Sequence, residues 1–156
     1  MPSLAVLLLA GLWFVADRLG LIPASGAASP SSPDSPAAPA SGATPAGTQT
    51  VLDAHRRGRS DVQVRVSGRI VRTLADDQDG DRHQRFVLRL DGADHTVLVA
   101  HNLDLAPRVP LAEGDAVVVH GEYESNAQGG VLHWTHHDPA GRHPDGWIEH
   151  AGKTYR

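Results

Sequence analysis

Between Pro23 and Thr48 every residue is Pro, Ala, Ser, Gly or Thr except Asp34, and the stretch holds six of the chain's eleven prolines. Such a segment has too few large apolar side chains to offset the entropy lost on ordering it, so a disordered linker is expected. It divides the 156 residues into an apolar start (1–22), the linker (23–48) and a remainder of 108 residues (49–156). The remainder can bury one small core and no more. It holds all ten histidines and thirteen of the fourteen basic residues.

Leu4 to Ala16 is an unbroken apolar run of thirteen residues, the length of a signal-peptide hydrophobic region and short for a membrane span. If Asp17 and Arg18 are accepted near the helix end, Leu4 to Ile22 provides nineteen residues and just spans, with Arg18 reaching back to the interface. Both readings export the linker and the C-terminal domain. A flexible linker of this length reaches about 30 Å, a distance with a use only if its start is fixed. The expectation is therefore an uncleaved signal anchor rather than a cleaved peptide. It places the domain in the periplasm or otherwise outside the cytoplasm, with the inner membrane as a partner through the N-terminal segment.

The chain has no cysteine, which excludes disulfides, thiolate metal sites, a lipidated cysteine and a cysteine nucleophile. A formal net charge of −4 gives no bulk attraction to nucleic acid, so a nucleic-acid partner is disfavoured. A small-molecule or metal ligand, an envelope glycan and a protein partner stay open.

After the linker, Val51–Arg57 can form a short helix, with Thr50 as N-cap and Gly58 as its stop. The period then changes to two. In Val62–Ile70 the even positions are Val, Val, Val, Gly and Ile and the odd ones are polar, the pattern of a strand with one buried face. His83–Leu90 repeats it, with Phe86, Leu88 and Leu90 on one face and His83, Arg85 and Arg89 on the other. Thr96–His101 reads as a central strand, Gly114–Glu124 as a fourth and Val131–His137 as a fifth, the last two joined by a Ser-Asn-Ala-Gln-Gly-Gly loop. Five short strands and no long helix predict an all-β fold, a small closed or half-closed five-stranded barrel with a short N-terminal helix, in which Gly68 permits a bend in the first strand. The order V-x-V-x-G (64–68), F-x-L-x-L (86–90), a polar break and G-D-x-V-x-V-x-G (114–121) resembles an OB-fold, which implies an OB-like barrel. Trp134 and Trp147 are expected in the core of a domain short of large side chains.

The segments HQRF (83–86), HNLDLAPR (101–108), GEY (121–123), GGVLHWTHHDP (129–139), GRH (141–143) and GWI (146–148) resemble, in that order, a family of small bacterial proteins of unknown function, the domain of unknown function numbered 3465. The resemblance spans roughly 62–155. It implies no activity, substrate or cofactor.

Polar side chains crowd three places: the start of the second strand (His83, Arg85), the exit of the third (His101, Asn102, Asp104, Arg108), and the stretch from His133 through Trp134, His136, His137 and Asp138 to His143. Strand ends and the loops after them are where rigid barrels carry functional groups. His101 with Asp104, or His137 with Asp138, has the composition of a base and its orienting carboxylate. Arg85 and Arg108 are candidate anion contacts, and His83, Asn102 and Trp134 candidate ligand contacts. For metal, His133 and His137 on one strand lie about 13 Å apart, too far for one ion. If the strand ends near Thr135, however, His136 or His137, Asp138 and His143 can gather on the Asp-Pro turn and meet His101 or His83 across the barrel. Imidazole and carboxylate without thiolate suit a divalent transition metal such as zinc. No serine stands in a nucleophile motif, so a hydrolase reading, phosphodiesterase or nuclease, needs metal-activated water. A third reading is an oligonucleotide-binding barrel that uses Tyr123, Trp134 and the arginines Arg65, Arg69, Arg85 and Arg89. The acidic tip Asp76–Asp81 fails the calcium-loop spacing, because its first ligand position falls on Ala75 and its twelfth on Phe86.

Overall fold

A computed structural model describes residues 44–156. The signal or anchor segment 1–22 and the linker as far as residue 43 lie outside the described residues. Among those described, no helix is long and apolar enough to cross a membrane.

Helix α1 spans Ala46–Arg56. It starts inside the expected linker and ahead of the expected start at Val51. Thr48, Val51 and Ala54 recur every three residues and are all buried, so the apolar stripe extends one turn further back than the side chains alone suggest. Pro45 precedes the first turn, where a missing N–H costs nothing. Thr50 is therefore not the cap. Its hydroxyl donates to the Ala46 carbonyl at 2.9 Å within the helix, and that of Thr48 donates to Asp91 O at 3.0 Å, tying α1 to the barrel.

The strands are β1 (Val62–Thr73), β2 (His83–Leu90), β3 (Thr96–Asn102), β4 (Ala116–Glu124), β5 (Val131–His133), β6 (Trp147–His150) and β7 (Lys153–Tyr155). Strand β1 pairs antiparallel with both β2 and β4, β2 with β3, β3 parallel with β5, and β5 antiparallel with β4. The ring β1-β2-β3-β5-β4 thus closes on itself, giving the expected five-stranded barrel. Closure removes the free edges that an open five-stranded sheet would leave. Strand β1 reaches both neighbours because it is long. Val62–Arg69 faces β4 and Gly68–Thr73 faces β2, so the two pairings overlap at Gly68 and Arg69. A Cβ on Gly68 would lie 2.2 Å from the Arg89 carbonyl oxygen, so only glycine admits the close approach at this corner.

The core is the inward set of the alternation: Val64, Val66, Ile70, Phe86, Leu88, Leu90, Val97, Val99, Val117, Val119, Tyr123 and Leu132, with Val51 and Ala54 from α1. Two polar side chains share the inward parity on the paired strands β2 and β3, Gln84 and His101. Both are buried and both are satisfied. Gln84 donates to Val109 O at 2.8 Å and accepts from Val109 N at 3.0 Å.

Strands β6 and β7 extend the sheet beyond the five expected. They form a hairpin whose Ile148 and Tyr155 add to the core. Strand β4 divides its second edge between two partners: Val117–His120 pairs with β6, and Glu122–Glu124 pairs with β5. The division falls at Gly121, where an added Cβ would sit 2.4 Å from the His133 carbonyl oxygen. Residues 134–146 run from β5 to β6 beside this edge.

Candidate functional site

Fully buried, His101 accepts from Thr135 Oγ1 at 2.8 Å through Nδ1 and donates through Nε2 to Pro107 O at 3.2 Å. Burial lowers its pKa to about 4, so the ring is neutral near pH 7 and both nitrogens are in use. The expected pairing with Asp104 does not form. Asp104 accepts instead from Arg82, through the backbone N–H at 2.8 Å and Nε at 2.9 Å. These hydrogen bonds hold its carboxyl below the usual range.

The other residues of these two segments do local work. Asn102 Oδ1 accepts from the N–H groups of Asp104 and Leu105 at 2.8 and 3.1 Å, shaping the exit from β3. Arg108 forms an ion pair with Asp76. Arg85 donates to Ala75 O at 3.1 Å and faces Asp77 at 3.8 Å. The backbone of His83 exchanges two hydrogen bonds with Asp77, closing the acidic tip as a hairpin. These contacts tie loops to the barrel.

Strand β5 ends at His133, four residues before the expected His137, because Trp134 turns the chain with φ 52°. A bulky residue in the left-handed region costs on the order of 1–2 kcal/mol. Beyond the turn, Asp138 is buried and accepts from the backbone N–H groups of Ala140, Arg142 and His143. These donors, Ala140 foremost, lower its carboxyl pKa. His137 pairs with Asp145 at 2.8 Å rather than with Asp138. Asp145 also accepts from Asp138 N at 2.9 Å, the main cause of its lowered pKa. His136 is buried, with Nδ1 donating to His137 O at 2.8 Å. The structure does not gather His136, Asp138 and His143 into one ligand set. Two of them fasten the loop.

A different set does come together. Glu122 and Glu124 are two residues apart on the outward face of β4, and His133 on β5 is the direct cross-strand partner of Glu122. One ligand atom from each lies within 4.8 Å of the others, making this the only His/Asp/Glu group of that compactness among the described residues. His133 Nε2 is 3.5 Å from Glu122 Oε1 and 3.7 Å from Glu124 Oε1. It is buried and has no hydrogen-bond partner among the described residues. Desolvation lowers the His133 pKa against the opposing pull of the two carboxylates, so the neutral ring carries no charge to match theirs.

The other oxygen of Glu122 is occupied. Oε2 accepts from His143 Nε2 at 2.8 Å and from Gln63 Nε2 at 3.2 Å, Gln63 being the partner of Glu122 across β1 and β4. His143 stacks on Trp134, with centroids 4.1 Å apart and planes 9° from parallel, and its Nδ1 lies 2.9 Å from Pro144 O. Trp134 is thus half-buried at the rim of the site and not in the core. Trp147 is also half-buried, with the Arg65 guanidinium 5.3 Å above its ring and His120 beside it.

Sequence reasoning missed Glu122 and Glu124. The readable signal was Glu-x-Glu at strand spacing on the polar face of β4, joined by a six-residue loop to a strand that brings a histidine opposite. The His-x-His form of that signal is absent from the chain. A site of one imidazole and two carboxylates has the donor set of a divalent transition-metal site.

No curated protein matches this sequence. The family model for proteins of unknown function DUF3465 matches residues 37–156, from just before α1 through the barrel to the final hairpin, and the chain belongs to that family.

Proposed function

We propose that this OB-like domain binds one divalent transition-metal ion, zinc being the representative case, through Glu122, Glu124 and His133. The observation that carries the reading is His133 Nε2, a buried nitrogen without a hydrogen bond among the described residues, which faces two carboxylate oxygens at 3.5 and 3.7 Å. Ligand bonds of about 2.1 Å set a tetrahedral edge of about 3.4 Å, so small side-chain movements bring these atoms onto one ion. A neutral imidazole beside two carboxylates lacks the positive charge that a cation supplies. The imidazole also favours a transition metal over calcium or magnesium, which prefer oxygen ligands.

Titrating zinc into the full chain in a non-chelating buffer tests this. Calorimetry is expected to give one site per chain, weakened at least tenfold by Glu124→Gln and by His133→Ala. No binding heat and no thermal shift with zinc, cobalt or nickel sink the reading.

A metal-dependent hydrolase is the second reading. Three protein ligands, with His133 and Glu124 about a third exposed (34% and 36%), leave a coordination position for water. Chelator-sensitive cleavage of an activated phosphodiester by the wild type, lost in His133→Ala, supports it. The oligonucleotide-binding reading has less support, since Tyr123 is fully buried and the Trp147 ring is flanked by Arg65 and His120. The apolar run and the Pro/Ala/Ser linker support presentation of the domain outside the cytoplasm on a membrane anchor. Residues 1–48 fused to a reporter active only in the periplasm test that placement.

A further inference from the structure

We infer that His143 and Gln63 are positioning residues for this metal site: they hold Glu122 Oε2 so that Oε1 is aimed at the ion, and neither touches the ion itself. The inference rests on the metal reading above. Glu122 divides its two oxygens. Oε1 faces His133 Nε2, while Oε2 accepts from His143 Nε2 at 2.8 Å and Gln63 Nε2 at 3.2 Å. Two donors from separate parts of the chain, one on β1 and one in the 134–146 loop, converge on the oxygen that the ligand triangle leaves unused.

The orientation of each donor is fixed at a cost. The Gln63 amide points its NH2 at the carboxylate and leaves Oε1 buried without a partner among the described residues. The flipped amide would set an oxygen against the Glu122 oxygen, so the unpartnered atom is the lesser penalty. His143 is only 15% exposed and lies flat on Trp134. Trp134 in turn reaches that position through its left-handed backbone at φ 52°. Strain at Trp134, the stack and the buried Gln63 oxygen all serve one geometry at Glu122. A carboxylate held this way loses little rotamer freedom when an ion arrives, and partners that orient a ligating group typically contribute 10–100-fold in metal affinity.

The test measures cobalt(II) affinity and the visible cobalt spectrum for the full-length wild type, His143→Leu, His143→Gln and Gln63→Leu, with metal-free thermal unfolding of each. His143→Leu is expected to bind 10–100-fold more weakly with the wild-type cobalt bands, because the ligands are unchanged. His143→Gln, which keeps an N–H donor, is expected to recover affinity to within a few-fold, and Gln63→Leu to lose about tenfold. Wild-type affinity in both leucine variants overturns the inference and leaves the metal reading standing. Altered cobalt bands in His143→Leu overturn it in favour of direct ligation by His143. If the wild type binds no metal, the reading beneath it fails first. Should His143→Leu not fold, Gln63→Leu and His143→Gln carry the same comparison.

Discussion

Glu122 and His133 are direct partners across β4 and β5, and their side chains place a carboxylate oxygen 3.5 Å from an imidazole nitrogen that has no hydrogen bond among the described residues. A hydrogen-bonded or fully charged pair would sit closer. The gap matches the separation of two ligands on one ion.

Zinc at one hundred times its dissociation constant is expected to stabilise the folded chain by about 2.7 kcal/mol, raising Tm by about 10 °C for a domain of this size. Glu124→Gln and His133→Ala are expected to retain the metal-free Tm to within a few degrees and lose most of that shift. Differential scanning calorimetry with and without zinc checks both halves.

The buried His101 ring makes stability depend on pH. Its pKa is about 4 in the fold and about 6.5 in the unfolded chain. Between these values the unfolded state binds the extra proton, so stability is complete above pH 6.5 and falls as pH drops toward 4, by about 3 kcal/mol. Urea unfolding of the wild type at pH 7.5 and 4.5 is expected to show this loss. His101→Leu is expected to be less stable at pH 7.5, because the Thr135 hydroxyl and Pro107 carbonyl lose their partner, yet to lose less between the two pH values. Zinc affinity unchanged in this variant separates His101 from the proposed metal site.

Metal binding is expected to hold down to the pH at which a free imidazole is half protonated. Desolvation depresses the pKa of His133, so proton competition for its nitrogen begins below 6.5. Calorimetric titrations at pH 7.5, 6.5 and 5.5 are expected to give similar affinities at the first two and a weaker one at the third. A tenfold loss already at pH 6.5 contradicts this.

Asp138→Ala removes an acceptor shared by three backbone N–H groups. A drop of several degrees in Tm is expected, because donors turned inward are left without a partner, and the loosening is concentrated in the 134–146 loop. Amide hydrogen exchange should show faster exchange at Ala140, Arg142 and His143 than in the wild type, with the β1–β4 ladder unchanged.

Alternation alone was enough to place the barrel. The even positions of Val62–Ile70 and the Phe86, Leu88, Leu90 face predicted the core, since a strand of period two with one apolar face has only one way to bury it. Strands β6 and β7 were not legible, being four and three residues long, too short for alternation to show. Helix α1 began early because Thr48, a polar residue on paper, is buried with its hydroxyl on Asp91 O.

The site divides along the same line. Sequence located the crowded stretch around His133 and excluded thiolate chemistry, because composition and local order suffice for both. Only the tertiary structure decided which donors meet. His101 and Asp104 are three residues apart yet point to different partners, Thr135 and Pro107 for one and Arg82 for the other. Glu122, His133, His143 and Gln63 come from two strands, a loop and a third strand, and they meet because β4 pairs with β1 on one edge and β5 on the other. The β4–β5 register is that of neighbouring antiparallel strands and was readable, whereas the β1–β4 pairing that brings Gln63 in and the backbone turn at Trp134 that brings His143 back over the sheet are long-range or conformational, and no local pattern encodes them.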